Sequence, residues 1–183
     1  MTDSLETIAK RLQSSKFTGH SYMPIYDDLF SHLRNEPIQI LELGVGDGNS
    51  MHLWLQGFAN AIIHGIDASK FETFTHPRML TYACDVSTPR LGLMFPKNQF
   101  DIIFDDASHK TTDQRVAWMS LWPTLKPGGY YCIEDIYMTP ENGGVDEAVR
   151  WWIDKPGFRV FANFKTGFGD FRNDDVLIIL RKP

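Results

Sequence analysis

The chain has 183 residues, 43% of them apolar and 22% charged, with a formal net charge of −5 and a pI near 5.6. That composition excludes a disordered chain and fits one soluble globular domain, 1–183, long enough to bury a core. The basic residues are scattered, which argues against a nucleic-acid partner, and no apolar run approaches the roughly 20 residues that span a bilayer.

The polar start "MTDSLETIAKRLQSS" lacks the pattern of a signal peptide, so a cytoplasmic protein is expected. Residues 1–37 read as a helical N-terminal extension. A first helix starts after Ser4, with Leu5, Ile8, Ala9 and Leu12 on one face, and a second runs from about Pro24 to Arg34. From residue 38 strands alternate with helices. "IQILEL" is followed by "GVGDGN" and a helix over "SMHLWLQGF", then by the strands "AIIHGID" and "RMLTYACD". Cys84 and Cys132 lie in such apolar runs and read as buried, reduced thiols.

"FDIIFDD" is a fourth strand, and 111–124 a helix with Val116, Met119 and Ser120 towards the sheet and Thr111 with Gln114 as a capping box. "LKPGG" reads as a turn feeding the fifth strand, "YYCIEDI". A helix over 145–154 has Val145, Ala148, Val149 and Trp152 on one face, and the strands "FRVFANF" and "DVLIILR" close the chain as an antiparallel pair. The order predicts an α/β, Rossmann-like core over 38–183 with a mostly parallel sheet.

Gly44, Gly46 and Gly48 follow the first strand directly, where glycine lets the backbone turn tightly and approach a ligand. Asn49 stands where the dinucleotide fingerprint needs a small residue, so a pyrophosphate-binding oxidoreductase is disfavoured. Glu42, two residues before Gly44, repels phosphate and suits an ammonium group. Asp67, at the end of the second strand, is placed to accept from ribose hydroxyls. Asp85 is expected to end the third strand and accept from an adenine amino group, with Val86 covering the ring.

The series Glu42, Gly44, Gly46, Gly48, Asp67, Asp85 and "LKPGG" resembles class I S-adenosylmethionine-dependent methyltransferases over residues 38–181. The resemblance implies a seven-stranded sheet with its last strand antiparallel. It implies too that Glu42 and the glycine loop bind the methionine part, Asp67 the ribose, and Asp85 with Val86 the adenine.

In such a sheet Asp105–Asp106 and Glu134–Asp135 close strands four and five, whose carboxyl ends lie beside that of strand one. Crowded carboxylates repel one another and are satisfied by a hard divalent cation such as Mg²⁺. His109 has the side chain suited to removing a hydroxyl proton at neutral pH. The motifs "DDASH" and "IEDI" resemble those of the metal-dependent sugar O-methyltransferases of antibiotic biosynthesis and of cephalosporin hydroxylase-like proteins. Carried over by position, Asp106, Glu134 and Asp135 become the Mg²⁺ ligands and His109 the general base, while Asp105 stays open between ligand, support and loop acid.

The stretch "KFTGHSYMPIY" is similar to a segment preceding the core in these enzymes, which marks Lys16, His20 and Tyr22 as a candidate cover for the cofactor. Trp151, Trp152, Phe168 and Phe171 are candidates for an acceptor wall. The expected activity is S-adenosylmethionine- and Mg²⁺-dependent O-methylation of a small hydroxylated molecule, a sugar or glycosylated natural product, by a chain for which homo-oligomerisation is open. Two rivals are a non-catalytic cofactor-binding partner subunit and a nicotinamide-dependent oxidoreductase. The intact His109 and acidic pairs weigh against the first, Asn49 and Glu42 against the second.

Overall fold

The structure, a computed structural model, describes residues 3–14, 16, 20, 22–68, 76–136, 148–162 and 176–183. It divides into two compact units, Met1–Cys84 and Asp85–Pro183.

In the first unit Ser4 opens helix α1 (Leu5–Leu12), its hydroxyl accepting from the Thr7 N–H, and Leu5, Ile8 and Ala9 are buried as expected. Helix α2 (Met23–Phe30) carries its proline in the first turn and runs into a 3₁₀ turn over Ser31–Leu33, so the predicted second helix is shorter and tightens at its end. Asp27 joins the two helices: its carboxylate accepts from the Leu5 and Glu6 N–H groups and pairs with Arg34 at 2.9 Å. These bonds satisfy helix-start donors that burial would otherwise strand.

Strand β1 (Gln39–Leu43) leads through the glycine loop into helix α3 (Asn49–Gly57), then into β2 (Ile62–Asp67) and β3 (Met79–Ala83). β1 pairs with β2, and β2 with β3, all parallel. Gly65 in β2 is closely packed: a Cβ there would lie 2.7 Å from Val45 Cγ2 and 2.9 Å from Met51 Sδ, and those side chains would have to shift.

In the second unit, β4 (Phe100–Asp105) is followed by helix α4 (Thr111–Leu121) and β5 (Leu125–Ile133), parallel to β4. β6 (Arg159–Ala162) and β7 (Val176–Arg181) form the expected antiparallel pair, with β7 also antiparallel to β5. β7 lies inside the sheet, paired on both edges, and its apolar run is buried from Val176 to Leu180. The strand order is β3-β2-β1-β4-β5-β7-β6, the predicted seven-stranded, mostly parallel sheet of a Rossmann-like α/β fold.

Three local expectations are corrected. "LKPGG" belongs to β5 rather than to a preceding turn; the pairing slips between Phe100↔Leu125 and Ile102↔Tyr130, and Gly128 takes φ +80 at this irregularity. α4 buries Gln114, Ala117 and Leu121, whereas Met119 is 55% exposed, so the helix is rotated from the expected face. Its cap residue is Lys110, without a side-chain cap bond, and Gln114 is not part of a capping box: its amide reaches across to donate to the Glu134 carbonyl at 3.3 Å.

Both cysteines are free thiols, Cys132 buried and Cys84 half-buried just past β3. Ala148–Arg150 is helical and Trp152 is buried; Ser15, Val145, Phe168 and Phe171 lie outside the described residues. No helix among the described residues is long and apolar enough to cross a membrane.

Candidate active site

The first unit carries the glycine loop. Gly44, Gly46 and Gly48 all have positive φ, at +86, +51 and +80, a backbone that side-chain-bearing residues rarely adopt. A Cβ on Gly46 would meet nothing within 4 Å, so at that position glycine is demanded by conformation rather than by a protein neighbour. The loop is held from outside by Asp67, whose Oδ2 accepts from the N–H groups of Val45 at 3.0 Å and Gly46 at 3.1 Å. The residue expected to bind ribose therefore also braces the loop. At the start of α3 the Asn49 N–H is bonded to Asp47 Oδ1 at 3.0 Å, so that helix end does not present all its donors outward.

Glu42 is fully buried in β1. Its Oε1 lies 3.3 Å from Lys16 Nζ, with the two side chains 0% and 2% exposed, and its Oε2 accepts from the Ser50 hydroxyl at 2.8 Å. Lys16 Nζ also sits 5.9 Å from the centre of the Trp54 ring. The carboxylate expected to suit an ammonium thus already holds one from the chain's own N-terminal segment. His20 stacks on Tyr22 at 5.2 Å, and rings continue through Tyr22–Tyr26 and Tyr26–Trp54 towards the same place.

In the second unit Asp85 lies two residues past β3, not at its end, and is exposed. Its Oδ1 accepts from the Ser87 hydroxyl at 2.7 Å and N–H at 2.9 Å, and these bonds hold its pKa below the ordinary value. Val86 beside it is buried.

The acidic ends of β4 and β5 form the polar cluster of this unit. Asp106, His109 and Asp135 each offer a ligand atom within 4.8 Å of the others, and His109 Nε2 lies 4.0 Å from Asp106 Oδ1. His109 and Asp135 reach this arrangement from the left-handed region, at φ +56 and +53. Two carboxylates and an imidazole at such spacing have the donor chemistry to hold a divalent cation.

Glu134 is not a member of that group of three. It is buried, its N–H donating to the Asp105 carbonyl at 3.0 Å and its carbonyl accepting from Gln114. Asp105 is buried as well; burial pushes its pKa up to about 7 despite the Tyr131 hydroxyl donating to it at 3.3 Å. Trp151 and Trp152 pack edge-to-face at 4.6 Å and both meet Trp118, with Lys155 Nζ 4.0 Å from the Trp151 ring centre. Those contacts are the packing of an aromatic cluster. Sequence reasoning missed Ser50 and Gly65, which belong to no motif, and assigned Gln114 to a helix cap rather than to the Glu134 carbonyl.

The chain matches no family model. It is 30% identical, over 80% of its length, to the 8-demethyl-8-alpha-L-rhamnosyl tetracenomycin-C 2'-O-methyltransferase of Streptomyces olivaceus. It is 32% identical, over 68% of its length, to the demethylmacrocin O-methyltransferase of Streptomyces fradiae. The chain is a homologue of antibiotic sugar O-methyltransferases. This homologue covers 42% and 34% of those two proteins, less than half of either. Its fold is shared with the MycE methyltransferase of mycinamycin biosynthesis, solved in complex with Mg, S-adenosylhomocysteine and mycinamycin VI. The TM-score is 0.78 at 24% identity, over 99% of this chain and 55% of that one.

Proposed function

We propose that this chain is an S-adenosylmethionine- and Mg²⁺-dependent O-methyltransferase acting on a hydroxyl of a sugar or glycosylated natural product. The observation that carries the reading is the convergence of Asp106, His109 and Asp135 in a relative of sugar O-methyltransferases.

When bound, S-adenosylmethionine supplies an electrophilic methyl group, and Mg²⁺ supplies a positive charge that favours the ionised form of an acceptor hydroxyl. Asp106 and Asp135 would hold the cation, with Glu134 as the third carboxylate. Glu42, the Gly44–Gly46–Gly48 loop and Asp67 would hold the methionine and ribose parts, and Asp85 with Val86 the adenine. His109 takes up the acceptor hydroxyl's proton at Nε2, the nitrogen that lies 4.0 Å from Asp106 Oδ1. His109 is presented from a left-handed turn, at φ +56.

The test is transfer of labelled methyl from S-adenosylmethionine to a panel of glycosylated small molecules, with Mg²⁺ and with EDTA, beside calorimetry with S-adenosylhomocysteine. Product that forms with Mg²⁺ and is lost with EDTA is expected. Failure to bind S-adenosylhomocysteine overturns the reading.

A further inference from the structure

Lys16 and Glu42 form a buried ion pair. Taking two charges out of water is expensive, and apolar residues of similar size in their place are often as stable or more so. The pair lies at the root of the glycine loop, two residues before Gly44, and both carboxylate oxygens are engaged: Oε1 with Lys16 at 3.3 Å and Oε2 with Ser50 at 2.8 Å.

We infer that Lys16 is a positioning residue for the amino-acid end of the cofactor, acting through Glu42. The inference rests on the methyltransferase reading above. A buried carboxylate without a cation nearby would take up a proton, and a neutral acid attracts an ammonium group poorly. Lys16 sets a positive charge 3.3 Å from Glu42 Oε1, which favours the ionised carboxylate, Ser50 from α3 holds Oε2, and the Trp54 ring lies beneath the Lys16 ammonium.

The experiment compares S-adenosylhomocysteine with 5′-methylthioadenosine, which keeps the nucleoside and thioether but carries no amino acid. In Lys16→Met, affinity for S-adenosylhomocysteine should fall by about tenfold or more while that for methylthioadenosine stays within about twofold. Lys16→Arg should restore most of the difference, because it returns the charge. Ser50→Ala should move the ratio in the same direction by less, and Lys16→Gln, which keeps a polar end without the charge, decides the matter if Lys16→Met does not fold. Equal loss of both ligands would mark Lys16 as merely structural, and a gain in S-adenosylhomocysteine affinity would mark it as a competitor of the cofactor's amine. Either result overturns the inference. A wild-type chain that binds S-adenosylhomocysteine, with a ratio indifferent to these variants, overturns the role of Lys16 alone; one that does not bind it overturns the cofactor reading as well.

Discussion

His109 Nε2 faces Asp106 Oδ1 at 4.0 Å across a turn of three residues, and the turn brings them together by holding His109 at φ +56. A left-handed backbone at a residue other than glycine costs about 1–3 kcal/mol and is retained where the side chain is needed there. His109→Gly relieves that strain and is expected to leave thermal stability equal or higher, whereas methyl transfer falls by about 10²–10⁴-fold. Melting curves and single-turnover transfer measured on the same sample check both halves, and unchanged transfer removes His109 from the chemistry.

Cation binding separates the acidic residues. Asp106→Asn and Asp135→Asn should each weaken Mg²⁺ binding by about tenfold or more in calorimetry. Glu134→Gln is expected to do the same as the third ligand. Since Glu134 stands outside the group of three in the structure, undiminished Mg²⁺ affinity in that variant would reduce the set to Asp106 and Asp135.

Stability should fall with acid because of His64. The ring is buried, with Nε2 3.2 Å from Gln39 Oε1 and Nδ1 3.2 Å from the Tyr82 hydroxyl, and burial lowers its pKa from 6.5 to about 4. Well above pH 6.5 the imidazole is neutral folded or unfolded and has no linkage effect. As pH drops from 6.5 towards 4 the unfolded chain binds a proton that the folded chain refuses, and stability is lost. Between pH 7.5 and 5 this amounts to about 2 kcal/mol. Denaturant melts at the two pH values, on the wild type and His64→Gln, should show a smaller drop in the variant.

Gly92→Ala should destabilise the second unit. A Cβ there would lie 2.0 Å from the Ser120 carbonyl oxygen, which is backbone of α4 and has no rotamer with which to withdraw. A loss of about 1–3 kcal/mol is expected, read as a lower denaturation midpoint; an unchanged midpoint would show that α4 shifts freely.

Strand positions were legible wherever apolar runs met glycine or acidic ends, as "IQILEL" before Gly44 and "FDIIFDD" before His109 demonstrate. The parallel order and antiparallel close followed from the same pattern. Helix rotation was harder to read. In α4 the apolar Met119 lies outside and the polar Gln114 inside, because an amide that can reach the Glu134 carbonyl satisfies a buried acceptor as no methyl group does. Of the residues the motifs proposed for the site, Glu42 and Asp67 are bound within the chain, and Asp106, His109 and Asp135 come together. The partners that govern the first two were hidden because they come from far along the chain: Lys16 lies 26 residues before Glu42, and Val45 lies 22 before Asp67.

The grip of Asp67 on the Val45 and Gly46 amides gives the loop a native gauge. Whatever draws that carboxylate to a new hydroxyl must loosen two identifiable N–H groups, so their hydrogen-exchange rates and amide chemical shifts report, without a label, which partner Asp67 is holding.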